Sequence, residues 1–216
     1  MNESFAREIL ADVCAKLYDR RLTVSAGGNM SIRINDGEIL ITTSGRNKGL
    51  LLPEDMVKMS MDGKVIGEGK PSIEHRFHLA LYNRNQDTNA IVHCHPLYCT
   101  TLAVKGERIK SDLTPEGVLL LGDVPMIDYY TPGSEELVKA VEACSDSKAM
   151  LMRRHGALTQ GRTMEEAYNR MEELEFQAQL QLMVRRAKGL PKAEVEKLRN
   201  MCYHDIGDQM VRDLPL

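Results

Sequence analysis

No stretch of this chain stays apolar for the roughly 18–20 residues that a membrane span requires, so no spanning helix is expected. No basic block stands out either. The 28 lysines and arginines are scattered among 31 acidic residues for a net charge of −3, which argues against a dedicated nucleic-acid surface. The five cysteines (Cys14, Cys94, Cys99, Cys144 and Cys202) are odd in number and follow no framework spacing. Free thiols in a reducing cytoplasm are therefore expected, not a disulfide scaffold. The first residues, Met1 to Glu8, lack a basic region followed by an apolar one, so no secretory signal is expected. Internal repeats, low-complexity tracts and long linkers are missing as well. What remains is a chain of 216 residues, 43% of them hydrophobic, with no compositional boundary. It reads as a single domain over residues 1–216.

The informative stretch is Ala90 to Pro96. A β-rich run, Asn89 to Val92, delivers His93 and His95 with one residue between them. Side chains alternate along an extended chain, so both imidazoles project to one face. Such a pair can supply two nitrogens to one metal, and Pro96 discourages further sheet pairing. Two histidines at a strand end can also simply bond nearby backbone, so the pair needs support from elsewhere in the chain.

Residues 3–20 carry Phe5, Ile9, Leu10, Val13 and Leu17 at helical spacing. Ser25 to Ser31 is a Gly-rich turn in which Gly27 and Gly28 permit close approach of the backbone and Asn29 adds an amide donor. Asp36-Gly37 signals a hairpin between Ile32–Ile34 and Glu38–Thr42. The second strand ends in another small, hydroxyl-bearing turn, Thr43-Ser44-Gly45. Leu52 to Met56 has the look of a helix start, and Val57–Ser60 with Lys64–Ile66 suggest a further hairpin. Ser72 is the expected N-cap of a helix running to about Asn83, with Glu74 in its first turn. His75 and His78 lie on that helix and are read as packing or surface residues, ranked behind the His93–His95 pair as ligands. Helices are also expected at 97–105 and 135–143. Ala149–Met152 reads as a buried strand that places His155 at its end, beside Gly156. Residues 164–187 form a long amphipathic helix whose methionines fill core.

Nineteen residues separate Glu74 from His93, enough for a helix, a turn and a return strand. A single carboxylate can thus face the imidazoles of His93, His95 and His155, a donor set that suits zinc. A carboxylate that leaves the metal opens a position and becomes a general base. The turns at 27–29, 43–45 and 72 offer N–H and O–H donors to an anion such as phosphate.

Five segments in this order carry a resemblance. They are Gly27–Ser31, Thr43–Gly45, Pro71–Glu74, Val92–Pro96 and Arg154–Ala157. Together they resemble the class II aldolase/adducin family, in particular its L-fuculose-1-phosphate aldolase-like sugar-phosphate aldolases. The resemblance implies an α/β/α fold with a central, mostly antiparallel sheet between helices, commonly assembled as a homotetramer with active sites near subunit interfaces. It implies Zn²⁺ on His93, His95 and His155, with manganese or cobalt as alternatives. Glu74 would be the ligand that departs to act as acid and base. Phosphate would be bound by Asn29, Ser44, Gly45 and Ser72, with Gly28 shaping the turn. Tyr203 resembles the C-terminal catalytic tyrosine that reaches a neighbouring subunit. The implied reaction is cleavage of a ketose 1-phosphate to dihydroxyacetone phosphate and a short aldehyde.

Two departures stand out. Ile73 replaces the second serine of a Pro-Ser-Ser-Glu segment, and Thr114-Pro115-Glu116 stands where these aldolases often carry a tyrosine. Ribulose-phosphate 4-epimerases usually carry aspartate where Glu74 stands, which favours the aldolase. Oxo-tetronate-phosphate decarboxylases and thiosugar dehydratases share the histidines. Adducin-type relatives keep the fold as an interaction module without metal, a reading disfavoured by the intact histidines and glutamate.

Overall fold

The computed structural model describes residues 1–201. Helix α1 (Glu3–Asp19) starts where the Asn2 side chain accepts the Ser4 N–H, and buries Ala6, Leu10, Val13, Cys14 and Leu17. Strands β1 (Asn29–Asn35) and β2 (Glu38–Thr42) form the hairpin expected around Asp36-Gly37, with Ser31 opposite Ile41. Strands β3 (Met56–Ser60) and β4 (Val65–Ile66) continue this meander. Helix α2 (His75–Arg84) then crosses one face and returns through β5 (Ala90–Cys94), which lies antiparallel to β1.

Helices α3 (Leu97–Lys105) and α4 (Pro115–Leu121), strand β6 (Met126–Ile127) and helix α5 (Glu135–Glu142) precede a second hairpin, β7 (Ala149–Met152) and β8 (Gly156–Gly161). Helices α6 (Met164–Met183) and α7 (Lys192–Arg199) end the described chain. The strands form one eight-stranded sheet in the order β4-β3-β2-β1-β5-β8-β7-β6, antiparallel except for β6 against β7. The mixed α/β, mostly antiparallel architecture is the one expected.

Strand alternation sorts the core into two layers. Met30, Ile32, Val92, Cys94 and Leu151 pack beneath α1, α3 and α6. Ile39, Ile41, Ile91, Met150 and Leu158 pack beneath α2 and α5. On this second face the polar side chains of Asn29, Ser31 and His93 are buried with the apolar ones.

Four local expectations change. The helix start at Leu52–Met56 is one 3-10 turn, Pro53–Asp55, because Met56 is already paired with Thr42 in the sheet. The N-cap position of α2 is Glu74, not Ser72, whose hydroxyl instead accepts the Glu74 N–H at 3.3 Å. The long α6 stops at Met183. Strand β8 was not anticipated, because Gly156–Gly161 is buried on both faces and has no polar–apolar alternation to betray it.

Candidate metal centre

Register assembles the site at one end of the sheet. Asn29 opens β1 directly opposite His93, near the end of β5, and His93 in turn lies opposite Leu158 of β8. The β7–β8 turn returns His155 to the same end; Arg154 there adopts a left-handed φ of 55°. Glycines let these segments close on the His93–His95 stretch. A Cβ on Gly156 would lie 2.4 Å from the Cys94 carbonyl oxygen and 2.6 Å from His95 Cδ2. One on Gly28, whose φ is +74°, would lie 2.5 Å from the His93 carbonyl oxygen. From α6, Glu175 accepts the N–H groups of Tyr98 and Cys99, anchoring the first turn of α3 just beyond His95.

The three imidazoles each offer one ligand nitrogen, and these atoms all lie within 4.8 Å of one another. Nδ1 of fully buried His93 faces the Ala157 carbonyl at 2.9 Å. A carbonyl only accepts, so Nδ1 carries the proton and Nε2 the lone pair. His93 Nε2 is 3.2 Å from His95 Nε2 and 3.4 Å from Glu74 Oε2, and Glu74 Oε1 is 3.4 Å from His155 Nε2. Two donors about 2.0–2.1 Å from one tetrahedral ion stand about 3.3 Å apart, so these separations fit a shared cation. Glu74 Oε1 and His155 Nδ1 are both buried without a hydrogen-bond partner. An orphaned carboxylate oxygen pressed against imidazoles is costly unless a cation satisfies it. The residues present therefore fit a divalent metal.

Electrostatics favour the ligating forms. Burial, then the neighbouring His93 and His155, push the His95 imidazole down to about 3; burial, then His93, push His155 down to about 4. Burial raises the Glu74 carboxyl, but His93, His155 and the Asn29 amide outweigh it and hold the group below the usual carboxylate range. His95 and His155 are thus neutral lone-pair donors near neutral pH, beside an ionised carboxylate.

The residues expected to hold an anion lie around this end of the sheet. Ser44 N donates to the Lys70 carbonyl and Ser72 N to that of Thr42, which lays the 43–45 turn against residues 70–72. Gly45 has a φ of +75° with nothing within 4 Å of a would-be Cβ, so the turn is open above it. The turns at 25–28 and 43–46 are fastened by Lys48, which sequence reading passed over. Its fully buried ammonium donates to the carbonyls of Ala26 and Arg46, each at 3.0 Å. A lone lysine near a glycine turn carries no pattern that would have marked it.

The Asn29 amide is turned towards Glu74, its Nδ2 donating to Oε2 at 2.8 Å. His75 Nδ1 lies 2.8 Å from the Ser72 carbonyl. Both ring nitrogens of buried His78 are occupied, by Asn29 and Ser31, so it packs as expected but is not surface. Tyr203 lies outside the described residues. A cavity of about 600 Å³ beside Arg108, Lys110 and Arg199 shares no lining residue with the histidine cluster.

Residues 8–182 match the family model described as class II aldolase and adducin N-terminal domain. The chain is 39% identical over 171 residues to the L-fuculose phosphate aldolase of Methanocaldococcus jannaschii, covering 79% of this chain and 92% of that protein. It is 33% identical over 205 residues to the 3-oxo-tetronate 4-phosphate decarboxylase of Escherichia coli K12, covering 92% and 97%. Its fold is similar to that of Escherichia coli YgbL, described as a putative aldolase/epimerase/decarboxylase. The TM-score is 0.87 at 33% identity, over 92% of this chain and 99% of that one.

Proposed function

From the premise that this chain belongs to the class II aldolase and adducin N-terminal domain family and is a lyase of that family, we propose that it is a zinc-dependent aldolase. It cleaves a ketose 1-phosphate reversibly to dihydroxyacetone phosphate and a short aldehyde. The observation that carries this reading is the Glu74 carboxylate, buried against the His93 and His155 imidazoles beside His95, with one oxygen free of hydrogen bonds. His93, His95, His155 and Glu74 would hold the ion. When bound, Zn²⁺ (or Mn²⁺ or Co²⁺) supplies the positive charge that polarises a carbonyl and stabilises an enediolate.

Glu74 takes the proton from the substrate hydroxyl two carbons from the ketone. That oxygen becomes the aldehyde carbonyl, and the electrons of the breaking C–C bond pass to the enediolate. Protonation of the enediolate carbon by Glu74 then completes dihydroxyacetone phosphate. Gly28, Asn29, Ser44, Gly45 and Ser72 grip the phosphate. Tyr203 of a neighbouring subunit donates a hydrogen bond to the oxygen that becomes the aldehyde carbonyl. Exposed Ile73 and Leu97, next in sequence to the metal-site segments, support assembly as a homotetramer with the sites near subunit interfaces. Among the described residues no helix is long and apolar enough to cross a membrane, and free cysteines suit a cytoplasmic enzyme.

A second reading, decarboxylation of a 3-oxo-tetronate 4-phosphate, is favoured by the longer match to the decarboxylase, 92% of the chain against 79%. Loss of CO₂ from that substrate leaves the same enediolate of dihydroxyacetone phosphate, so the two reactions differ only in the electrophile released. The deciding experiment incubates zinc-loaded protein with ketose 1-phosphates, pentulose 5-phosphates and 3-oxo-tetronate 4-phosphate. Dihydroxyacetone phosphate with an aldehyde establishes the aldolase; the same product with CO₂ establishes the decarboxylase. An isomeric pentulose phosphate establishes a 4-epimerase and overturns both.

A further inference from the structure

Behind Glu74 runs a buried polar chain of which the proposed chemistry uses only Asn29. Asn29 Nδ2 donates to Glu74 Oε2 at 2.8 Å, and Asn29 Oδ1 lies 2.5 Å from His78 Nε2. His78 Nδ1 lies 2.7 Å from Ser31 Oγ, which lies 2.7 Å from the Tyr82 hydroxyl. Ser31, His78 and Tyr82 are fully buried and Asn29 is 2% exposed. Two periodicities build the chain. Asn29 and Ser31 alternate on one face of β1, while Glu74, His78 and Tyr82 recur every fourth residue along α2. The two rows interleave like a zipper.

The carboxylate dictates the direction of every bond. An ionised Glu74 accepts only, so the Asn29 nitrogen must face it and the Asn29 oxygen must face His78. His78 must then donate through Nε2–H, which leaves the lone pair on Nδ1 to accept the single Ser31 O–H. Ser31 has no second proton, so Tyr82 is the donor to it. Burial pushes His78 down to about 3, so the ring stays neutral with one N–H, and burial keeps the Tyr82 phenol protonated. Arg33 holds the far end, donating to the Tyr82 carbonyl at 2.6 Å with its guanidinium 5.1 Å from the ring centre.

We propose that His78 is a positioning residue for the acid/base group: with Ser31 and Tyr82 it forms a one-directional relay that locks the Asn29 amide nitrogen onto Glu74. Without the relay the amide is free to turn its oxygen towards the carboxylate, which repels it from its station beside the imidazoles. One Asn29 N–H remains for the substrate anion, so the relay is compatible with a phosphate contact by the same side chain. The inference rests on Glu74 being the acid/base of the proposed lyase.

The test has two independent readouts. In metal-free protein labelled with ¹⁵N-histidine, the resonances lost in His78→Gln identify His78. They should report a neutral ring protonated at Nε2 from pH 5 to 8, and that preference should weaken in Ser31→Ala and Tyr82→Phe. An Nδ1–H tautomer, an imidazolium, or a tautomer indifferent to both hydroxyl deletions overturns the relay. In zinc-loaded protein, His78→Leu should lower kcat at least 10-fold with KM within 2-fold and zinc content unchanged, and His78→Gln should recover part of the loss. Unchanged kcat, raised KM with intact kcat, or loss of zinc overturns it. If His78→Leu does not fold, Ser31→Ala and Tyr82→Phe carry the kinetic arm, each lowering kcat 2- to 5-fold, and no change in either overturns the proposal. If wild-type enzyme turns over neither a ketose 1-phosphate nor an oxo-tetronate phosphate, the functional reading fails while the tautomer still decides the relay.

Discussion

Asn29 lies directly opposite His93 in the antiparallel β1–β5 pair, so the residue that steadies Glu74 and a metal-ligand candidate are locked together by strand register. A slip of one residue would present Gly28 or Met30 in place of Asn29 and turn its side chain to the other face. Site geometry is therefore a property of the sheet, and changes to the site can be separated from changes to the fold.

Replacing His93, His95 or His155 singly by alanine should abolish stoichiometric zinc while the protein stays folded. The three ligands act as one unit, so double and triple variants should lose little more activity than the singles. Elemental analysis with circular dichroism checks this; a triple variant that keeps one metal per chain excludes the site.

Glu74→Gln should separate holding the metal from moving the proton. Three imidazoles suffice for a zinc site, so metal content should survive. An amide cannot take the proton, and kcat should fall roughly 10²–10⁴-fold. Steady-state kinetics on the zinc-loaded variant decides; near-normal turnover removes the acid/base assignment.

Ser72→Ala and Ser44→Ala should raise KM for a phosphorylated substrate, with about 1–3 kcal/mol of binding lost for each donor that is buried in the complex. The Ser72 hydroxyl accepts the Glu74 N–H, which leaves its own proton for the anion. Equal KM in wild type and both variants would displace the anion grip from these turns.

Gly156→Ala should weaken zinc binding by roughly 10–100-fold without touching a ligand, as supporting residues of metal sites do. The new Cβ would meet the Cys94 carbonyl oxygen at 2.4 Å and His95 Cδ2 at 2.6 Å, so the imidazole must move. Competition with a chromogenic chelator measures the shift, and unchanged affinity would show that His95 is not held by this contact.

The metal-free protein should lose stability as pH falls from about 6.5 towards 4. His95 and His155 titrate at about 3 and about 4 when folded but near 6.5 when unfolded. In that window the unfolded chain binds more protons, and each excess proton costs about 1.4 kcal/mol per pH unit. Glu74, held low in the fold, adds a loss of the same sign below its unfolded value. Urea titrations with chelator at pH 7, 6, 5 and 4 provide the check, and a flat profile contradicts it. Added zinc should stabilise most near neutrality and least in acid, since protons compete for its ligands.

The sequence by itself determined what depends on short range. Alternation put His93 and His95 on one face, helical spacing marked α1 and the buried face of α6, and Asp36-Gly37 closed the first hairpin. Order and spacing of five short segments were enough to indicate the family. Tertiary structure alone decided which distant groups meet. His155 reaches His93 because β8 pairs with β5, and β8 is a strand whose burial on both faces erases the period-two pattern. Lys48 spans two turns that only the β1–β2 pairing brings together. Glu74, not Ser72, holds the N-cap position of α2 because the Ser72 carbonyl accepts the His75 N–H in a tight turn that precedes the helix. The role of His78 was written in the four-residue spacing from Glu74 to Tyr82 and the two-residue spacing from Asn29 to Ser31. Neither spacing has meaning until α2 is laid across β1, because a hydrogen bond between elements is fixed by their packing and not by the local conformation of either.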